Sequence, residues 1–486
     1  MLFNSLQFAV FFPVVTILYF VLPHKHRWWL LLGASAYFYM AFVPSYILIL
    51  GVTIVVDYFA GIFIEEAKST QRKKLYLLMS LIANIGFLAF FKYFNFVNSN
   101  IIALADFVGW NYPIENLKII LPIGLSFHTF QAMSYTIEVF RGHQKTERHF
   151  GIYALYVLFY PQLVAGPIER PQNMLHQFHE EHFFDYQRVA DGLKLMAWGL
   201  FKKVVIADRL APLVNPYYNN PQSFSGPELA LATAYFAVQI FCDFSGYSDI
   251  AIGAAQVMGF KLMVNFKRPY LALSISEFWK RWHISLSTWF RDYLYIPLGG
   301  NRVSQGRWQF NLFIVFLISG LWHGANWTYV IWGALHGMYL ILEIKAQQVW
   351  NLIPEKIRTL PPLWLVRLPQ RILVLGLVGY AWIFFRATTL ESAWLIGTRI
   401  FTGWTDIPAL LKLARSLLNN YELLITFSAI GIMEIIHSFQ ERGSLRTMLA
   451  QKPAALRWTL YVGILVCILV FGKIYAAPTD FIYFQF

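Results

Sequence analysis

Long apolar runs separated by short clusters of charge cover most of this chain. The first runs over residues 6–22 and closes at Pro23 and the cluster His24, Lys25, His26 and Arg27. The next, 28–64, is too long for one crossing of roughly 20 residues. Pro44 breaks it, because proline removes a helix hydrogen bond and clashes with the preceding turn, so a pair of spans is predicted. A basic cluster follows at Lys68, Arg72, Lys73 and Lys74, then an apolar run at 75–97. Residues 98–118 carry Asp106, Glu115 and Lys118 and read as a loop; 119–140 crosses back to Arg141, Lys145 and Arg148. Basic loops thus alternate with an acidic one. Cytoplasmic loops are enriched in Lys and Arg, so this register puts the N-terminus outside.

Beyond residue 150 the pattern becomes irregular. The apolar stretch 151–168 is interrupted by Pro161, Gly166 and Pro167, which predicts a broken or re-entrant element with a structural or gate-like part. Such backbone is tolerated at membrane depth only where protein or a water-filled cavity surrounds it. Further helices are predicted over 189–206, 229–256, 309–325, 327–345, 371–386, 421–437 and 457–475. Between Lys261 and Arg307 lie eight Lys or Arg against Glu277 and Asp292 alone. That stretch is expected to face the cytoplasm or line a funnel opening there. No internal repeat or appended soluble module interrupts the series, so the whole chain, 1–486, reads as one integral-membrane domain.

Composition agrees. Of 486 residues, 57% are hydrophobic and 13% charged, where a soluble domain averages about 25% charged; the mean hydropathy is +0.49. The net charge of +13 sits in loop clusters and not in a basic module, so nucleic acid is not an expected partner and membrane lipid is. Cys242 and Cys467 both lie in apolar segments, which leaves neither a disulfide framework nor a metal framework. The opening Met1–Pro23 lacks a basic n-region and a small-residue cleavage site, and reads as a retained span.

Two histidines dominate the candidate chemistry. His323 sits in a stretch with no charged residue between Arg307 and Glu343, and an ionisable group at that depth is a functional hypothesis by default. Gly320 and Gly324 flank it and permit close approach of another backbone or a ligand. Histidine titrates near neutrality, which suits a general base; the alternative is a packing histidine that donates one hydrogen bond across helices. Asn326, a turn on, is placed to orient the ring or bind substrate. His336, thirteen residues on, is expected at a different face and depth. The second histidine, His283, lies in a segment where Trp279, His283, Leu286 and Phe290 share one helical stripe. Glu277 and Arg281 form an i,i+4 pair there. With Trp279, Lys280, Arg281, Trp282 and Arg291, this segment reads either as an interfacial anchor or as a cytoplasmic lip that binds an anionic donor.

Asp243 and Asp249 are two carboxylates in an apolar context. Six residues of helix turn through roughly 600°, so they share no face unless Gly246 breaks the helix, and a shared metal site is not expected. Ser245 and Asp249 are better spaced to meet. Pairing with a buried Arg or Lys is the favoured reading.

Four strings together are specific: LVAGPIERP (163–171), FCDFSGYSDIAIG (241–253), FWKRWHISLSTWFRDYLYIPLGGNR (278–302) and SGLWHGANWTYVIWGALHG (319–337). In this order they resemble the membrane-bound O-acyltransferase (MBOAT) family, and within it the bacterial branch typified by the alginate O-acetyltransferase membrane subunit. The closing residues Phe481–Phe486 are similar to that branch, and Lys280, where relatives often carry Arg, keeps the charge. The resemblance implies an all-α polytopic fold of about eleven transmembrane helices with re-entrant and interfacial helices around an intramembrane tunnel. It places the near-invariant family histidine at His323 and a second functional histidine at His283. Pro167, Asp243, Asp249, Gly320 and Gly324 then fall to structure or to the tunnel wall. It further implies a bacterial inner-membrane enzyme with no bound cofactor. The enzyme would take acetyl-CoA or another acyl thioester as donor, an exported polysaccharide as acceptor, and an extracytoplasmic SGNH-type partner. A transporter would instead show inverted repeats, and no matching halves occur; a non-catalytic scaffold is the remaining alternative.

Overall fold

The computed structural model describes residues 1–118, 121–164, 166–352, 363–443, 445–473 and 481–482, which are helices and their connections with no β-strand among them. Ile119, Ile120, Ala165, the last two residues of the run 457–475 and Tyr483–Phe486 fall outside the described residues. Six of the described helices are long and apolar enough to cross a membrane: Tyr46–Glu66, Thr70–Val108, Gly226–Met258, Leu365–Arg386, Tyr421–Glu441 and Ala454–Phe471. Large apolar side chains point outward from them, with Phe107 87% and Val470 64% exposed. Only lipid makes such a surface tolerable, and the chain is a polytopic membrane protein. The chain forms two compact units, Met1–Met196 with Tyr247–Val264, and Ala197–Gly246 with Asn265–Phe486.

The first unit opens with α1 (Leu6–Val21), started by the Ser5 hydroxyl accepting from Phe8 N. Next come α2 (His24–Met40) and α3 (Tyr46–Glu66), parted at Pro44 as predicted. α4 (Thr70–Leu88) continues through a π-turn at Ala89–Tyr93 into α5 (Phe94–Val108). Here the structure corrects the predicted loop, because residues 98–108 are helical. Asn98 is buried and donates to Ile114 O and Asn116 Oδ1, so its polarity serves a tertiary contact and does not mark a loop. The helix stops at Gly109, whose φ of +70° favours glycine. α6 (Leu125–Arg141) packs on α3 and α4, and all three helices meet at Asp57. Ser80 Oγ donates to Asp57 Oδ1 at 2.5 Å, Asn84 Nδ2 reaches both carboxylate oxygens at 2.9 and 2.8 Å, and Ser80 also contacts Thr136 Oγ1.

The broken element is present. α7 (Phe150–Leu158) and α8 (Tyr160–Leu163) give way to irregular backbone containing Pro167, then to α9 (Pro171–His179). Gly166 to Glu169 are buried, and Glu169 accepts from Met263 N at 2.5 Å. α10 (Tyr186–Leu200) passes through a π-turn, Phe201–Ala207, into α11 (Asp208–Asn219). α12 (Gly226–Met258) is unbroken at Gly246, so Asp243 and Asp249 stay on different faces.

In the second unit, short α13 (Ile275–Arg281) and α14 (Ile284–Phe290) lead to the hairpin of α15 (Gln305–His323) and α16 (Trp327–Leu352). α17 (Leu363–Arg386), α18 (Leu390–Arg399) and α19 (Ile407–Leu418) follow, then α20 (Tyr421–Arg442), α21 (Leu445–Ala450) and α22 (Ala454–Phe471). α18 and α19 carry no counterpart in the predicted spans. α19 exposes Ile407, Leu411 and Leu418 with Lys412 and Arg415, the form an interfacial helix takes.

The predicted lysine partner of Asp243 is Lys203. Its Nζ lies 2.6 Å from Asp243 Oδ1 and 2.8 Å from Asp208 Oδ1, with all three side chains buried. Asp243 Oδ2 also accepts from Ile482 N at 2.7 Å. Ser245 accepts from Lys202 Nζ at 3.0 Å. Removing one partner of a buried ion pair strands the other charge at a cost of about 3–5 kcal/mol. Lys203→Met should therefore lower the unfolding midpoint of the purified protein sharply, and adding Asp208→Asn with Asp243→Asn should recover part of the loss. An unchanged midpoint for Lys203→Met would contradict this reading of the cluster.

Candidate active site

The site is built from two reversals of direction in the second unit. At the first, the N-terminus of α13 is held by Ser274 Oγ, which accepts from Glu277 N, and by Glu343. Glu343 accepts from Ile275 N at 2.7 Å, Ser276 N at 3.1 Å and Ser276 Oγ at 2.5 Å. The helix ends at Arg281, Trp282 is extended, and His283 adopts φ 43°, ψ 54° before α14 begins. A single helical stripe through Trp279, His283 and Phe290 is thus replaced by two short helices hinged at His283. A left-handed non-glycine residue costs of order 1–3 kcal/mol and persists only where its surroundings over-determine it. Those surroundings are the segment 265–267. Ile284 N donates to Asn265 O at 2.9 Å, and Lys267 N to Arg281 O at 2.9 Å. The Asn265 side-chain oxygen lies 3.2 Å from His283 Nδ1.

At the second reversal, α15 ends at His323 itself, and Gly324 is extended, with φ −159°. The continuous helix expected through Gly324 is therefore interrupted, and His323 occupies a helix terminus. The turn is made possible by glycine. A Cβ on Gly320 would collide with the Tyr329 carbonyl oxygen and lie 3.1 Å from Gly333 Cα; one on Gly324 would fall on the Tyr329 ring. Among the described residues, Asn326 bonds to the turn and not to a histidine ring. Its Oδ1 accepts from Thr328 N at 3.0 Å and its Nδ2 donates to Thr388 O at 3.1 Å, which fixes the turn to the segment after α17.

These reversals bring the two candidate histidines together, with ring centroids 6.5 Å apart. His283 is fully buried and His323 is 4% exposed. Aromatic rings enclose them. His323 lies 4.9 Å from Trp322, 5.0 Å from Trp332 and 5.3 Å from Phe385, while Phe244 meets His283 edge-on at 4.7 Å. Burial lowers the pKa of His283 below the usual imidazole range, so the ring is neutral at physiological pH. His336 is also part of this wall, on the far side of Trp332 from His323 and level with Phe316, seven residues before His323 on α15. Its ring lies 5.0 Å from Trp332, and Trp279 Nε1 donates to its Nδ1 at 3.2 Å.

The expected donor-binding residues separate into two groups. Trp279 and Trp282 are buried in the aromatic wall, where Trp282 and Trp382 rings are 5.0 Å apart. Lys280 and Arg291 are exposed; Arg291 pairs with Asp292 at 2.7 Å and Arg281 with Glu277 at 2.6 Å. Asp243 adjoins Phe244 on α12, whereas Asp249 and Pro167 belong to the first unit. Asn265, Ser285, Trp382 and Phe385 escaped the sequence reading. The one available signal was Asn265 itself, an amide between Val264 and Phe266.

A buried pair of histidines without a carboxylate or metal-binding cluster among the described residues is suited to proton transfer in a water-poor site. Residues 75–385 match the model of the MBOAT, or membrane-bound O-acyltransferase, family. The chain belongs to the MBOAT family. This MBOAT chain is 38% identical over 440 residues to the probable alginate O-acetylase AlgI of Azotobacter vinelandii, covering 90% of the chain and 85% of that relative. It is 40% identical over 408 residues to the protein of the same name in Pseudomonas aeruginosa, covering 83% and 76%. The peptidoglycan O-acetyltransferase of Helicobacter pylori is 37% identical over 429 residues, 81% and 78% of the two chains. The protein is a membrane-bound acyltransferase, and the family expected from its motifs is the family found.

The geometry makes Gly320 a sensitive position. Gly320→Val should force α15 and α16 apart, displace His323 and reduce acyl transfer per folded molecule by at least about 10²-fold, the scale of a misplaced catalytic group. Gly306→Ala on the same helix, where a Cβ meets nothing within 4 Å, should behave as wild type. Equal activities of the two variants would remove the close-packing role assigned to Gly320.

Proposed function

We propose that this acyltransferase moves an acetyl group from a cytoplasmic thioester, acetyl-CoA or another acyl thioester, to hydroxyls of an exported polysaccharide such as alginate. The observation that carries the reading is the buried His283–His323 pair, on the strings 278–302 and 319–337 that resemble the family, in a chain similar to probable alginate O-acetylases over most of its length. In this reading the bilayer holds about eleven crossings around a tunnel, with the N-terminus outside the bacterial inner membrane and the basic 261–307 region facing the cytoplasm. A cationic mouth attracts an anionic donor, and exposed Lys280 and Arg291 supply charge there. Trp279 and Trp282 belong to the wall along which the acyl chain would pass.

His323 is the general base. It takes the proton from the acceptor hydroxyl as the oxygen attacks the thioester carbonyl; the C–S bond breaks, and the proton is returned to the departing sulfur. The products are an ester and a thiol, and no further reactant is required. His283 assists at the same centre. The enclosing tryptophans and phenylalanines exclude the water that would otherwise hydrolyse the thioester. Transfer is either direct or relayed through an extracytoplasmic SGNH-type partner. Peptidoglycan or another cell-envelope glycan is the second acceptor class, favoured by the Helicobacter pylori relative.

Purified protein supplied with labelled acetyl donor and acetylatable oligosaccharide tests the reading. His323→Ala should lower transfer by about 10²–10⁴-fold, the range general-base catalysis contributes, while the protein remains folded and inserted. His283→Ala should also lose transfer. Full activity in His323→Ala would rule out its role as base, and retained activity with peptidoglycan fragments alone would reassign the acceptor.

A further inference from the structure

Resting on the reading of His283 as a working member of the pair, we infer that Asn265 is a positioning residue that fixes which nitrogen of His283 carries the proton. Three groups converge on one atom, Asn265 Oδ1. Ser285 N reaches it at 3.2 Å, Ser285 Oγ at 2.9 Å and His283 Nδ1 at 3.2 Å. A backbone N–H can only donate, so the atom facing Ser285 N is the amide oxygen and not the amide nitrogen. The oxygen can only accept, so in this contact His283 Nδ1 holds the proton; the Ser285 hydroxyl, 3.5 Å from the same nitrogen, gives its own proton to Asn265 Oδ1 at the shorter distance of 2.9 Å. In the neutral ring the lone pair then lies on Nε2.

His283 therefore accepts a hydrogen bond or a proton at Nε2, and donates from there only after being protonated. His336 is held in the opposite form: the indole N–H of Trp279 can only donate, so His336 Nδ1 bears the lone pair and Nε2 the proton. The two rings lie on the same aromatic wall and are chemically distinct, which makes the Asn265 contact specific to the histidine beside His323.

The backbone supports the same assignment. The Asn265 main chain accepts from Ile284 N while its side chain accepts from Ser285 N. These bonds flank the left-handed residue and fix its backbone, and with it the position from which the ring reaches Asn265 Oδ1. The Asn265 amide is the nearer polar group to His283 Nδ1, at 3.2 Å against 3.5 Å for the Ser285 hydroxyl. Phe244 and Phe266 offer only ring faces and edges. His323 on α15 is the neighbouring titratable group, and Asp243, next to Phe244, is paired with Lys203.

Acyl transfer by the full-length protein in nanodiscs tests this, with donor KM and kcat measured for Asn265→Leu, Asn265→Asp, Ser285→Ala and His283→Ala. Asn265→Leu removes the acceptor while keeping the γ-branched shape and should lower kcat at least about 10²-fold with donor KM changed less than about threefold. Asn265→Asp keeps an oxygen acceptor and should restore kcat to within about tenfold of wild type. Ser285→Ala, which leaves the Ser285 N–H in place, should cost less than about fivefold. Asn265→Leu with wild-type kcat overturns the inference, as does an equal fall in Asn265→Leu and Asn265→Asp. If Asn265→Leu does not fold, the Asn265→Asp and Ser285→Ala values decide alone, and a 10²-fold loss in Asn265→Asp refutes it. Full activity in His283→Ala refutes instead the reading on which the inference rests.

Discussion

The close approach of α15 and α16 at Gly320 and Gly333 is the contact on which the histidine cluster depends. Two helices in an apolar setting gain little from hydrophobic burial against each other, since lipid is as apolar as leucine, and their association rests on close van der Waals packing. Gly320, Gly324, Gly333 and Gly337 all face groups that a methyl would strike. The hairpin they allow places His323 at a helix end and sets the Trp332 ring edge-on between it and His336. Bulk at any of these positions acts on the site through distance, although none bears a reactive group.

A second constraint acts on the polar groups. Away from water every buried charge needs an internal partner, and each unit meets this differently. The first satisfies Asp57 with a hydroxyl and an amide from α4. The second uses Lys203 against Asp208 and Asp243, with Lys202 turned to Ser245. Lys202 and Lys203 both fall in the π-helical segment after α10, and as consecutive helical residues they point in different directions and serve different partners. Phe244, one residue from Asp243, carries this fixed geometry to the edge of His283.

Much of the helical order was legible because apolar runs of membrane length admit few interpretations. The breaks at Pro44 and around Pro167 followed from backbone chemistry alone. The helix through 98–108 was not legible, since Asn98 looks like a loop residue until its partners at 114 and 116 are known. Nor was the end of α15 at His323: Gly324 reads equally well as a packing glycine inside a helix. His323 and His283 were legible as candidates because ionisable groups stand out against apolar sequence. Asn265 and Phe385 were not, because their relation to the histidines exists only through tertiary contacts 18 and 62 residues away in the chain. The segment Trp279–Arg291 reads in sequence as either an interfacial anchor or a donor-binding lip; folding buries Trp279 and Trp282 and leaves Lys280 and Arg291 exposed, a division set by side-chain character.

The bond from Ile482 N to Asp243 Oδ2 spans 239 residues of sequence. During synthesis α10 to α12 emerge long before that donor exists. Until then Asp243 Oδ1 has Lys203, shared with Asp208, while Oδ2 awaits its partner from the far end of the chain. The polar core of the second unit therefore closes in two stages separated by the insertion of α13 to α22, and the environment of Phe244 beside His283 becomes final only at the second. Assembly of the reaction centre is in this way coupled to arrival of the segment at 481–482, which supplies the Ile482 N–H to Asp243 and the Phe481 ring to Phe244.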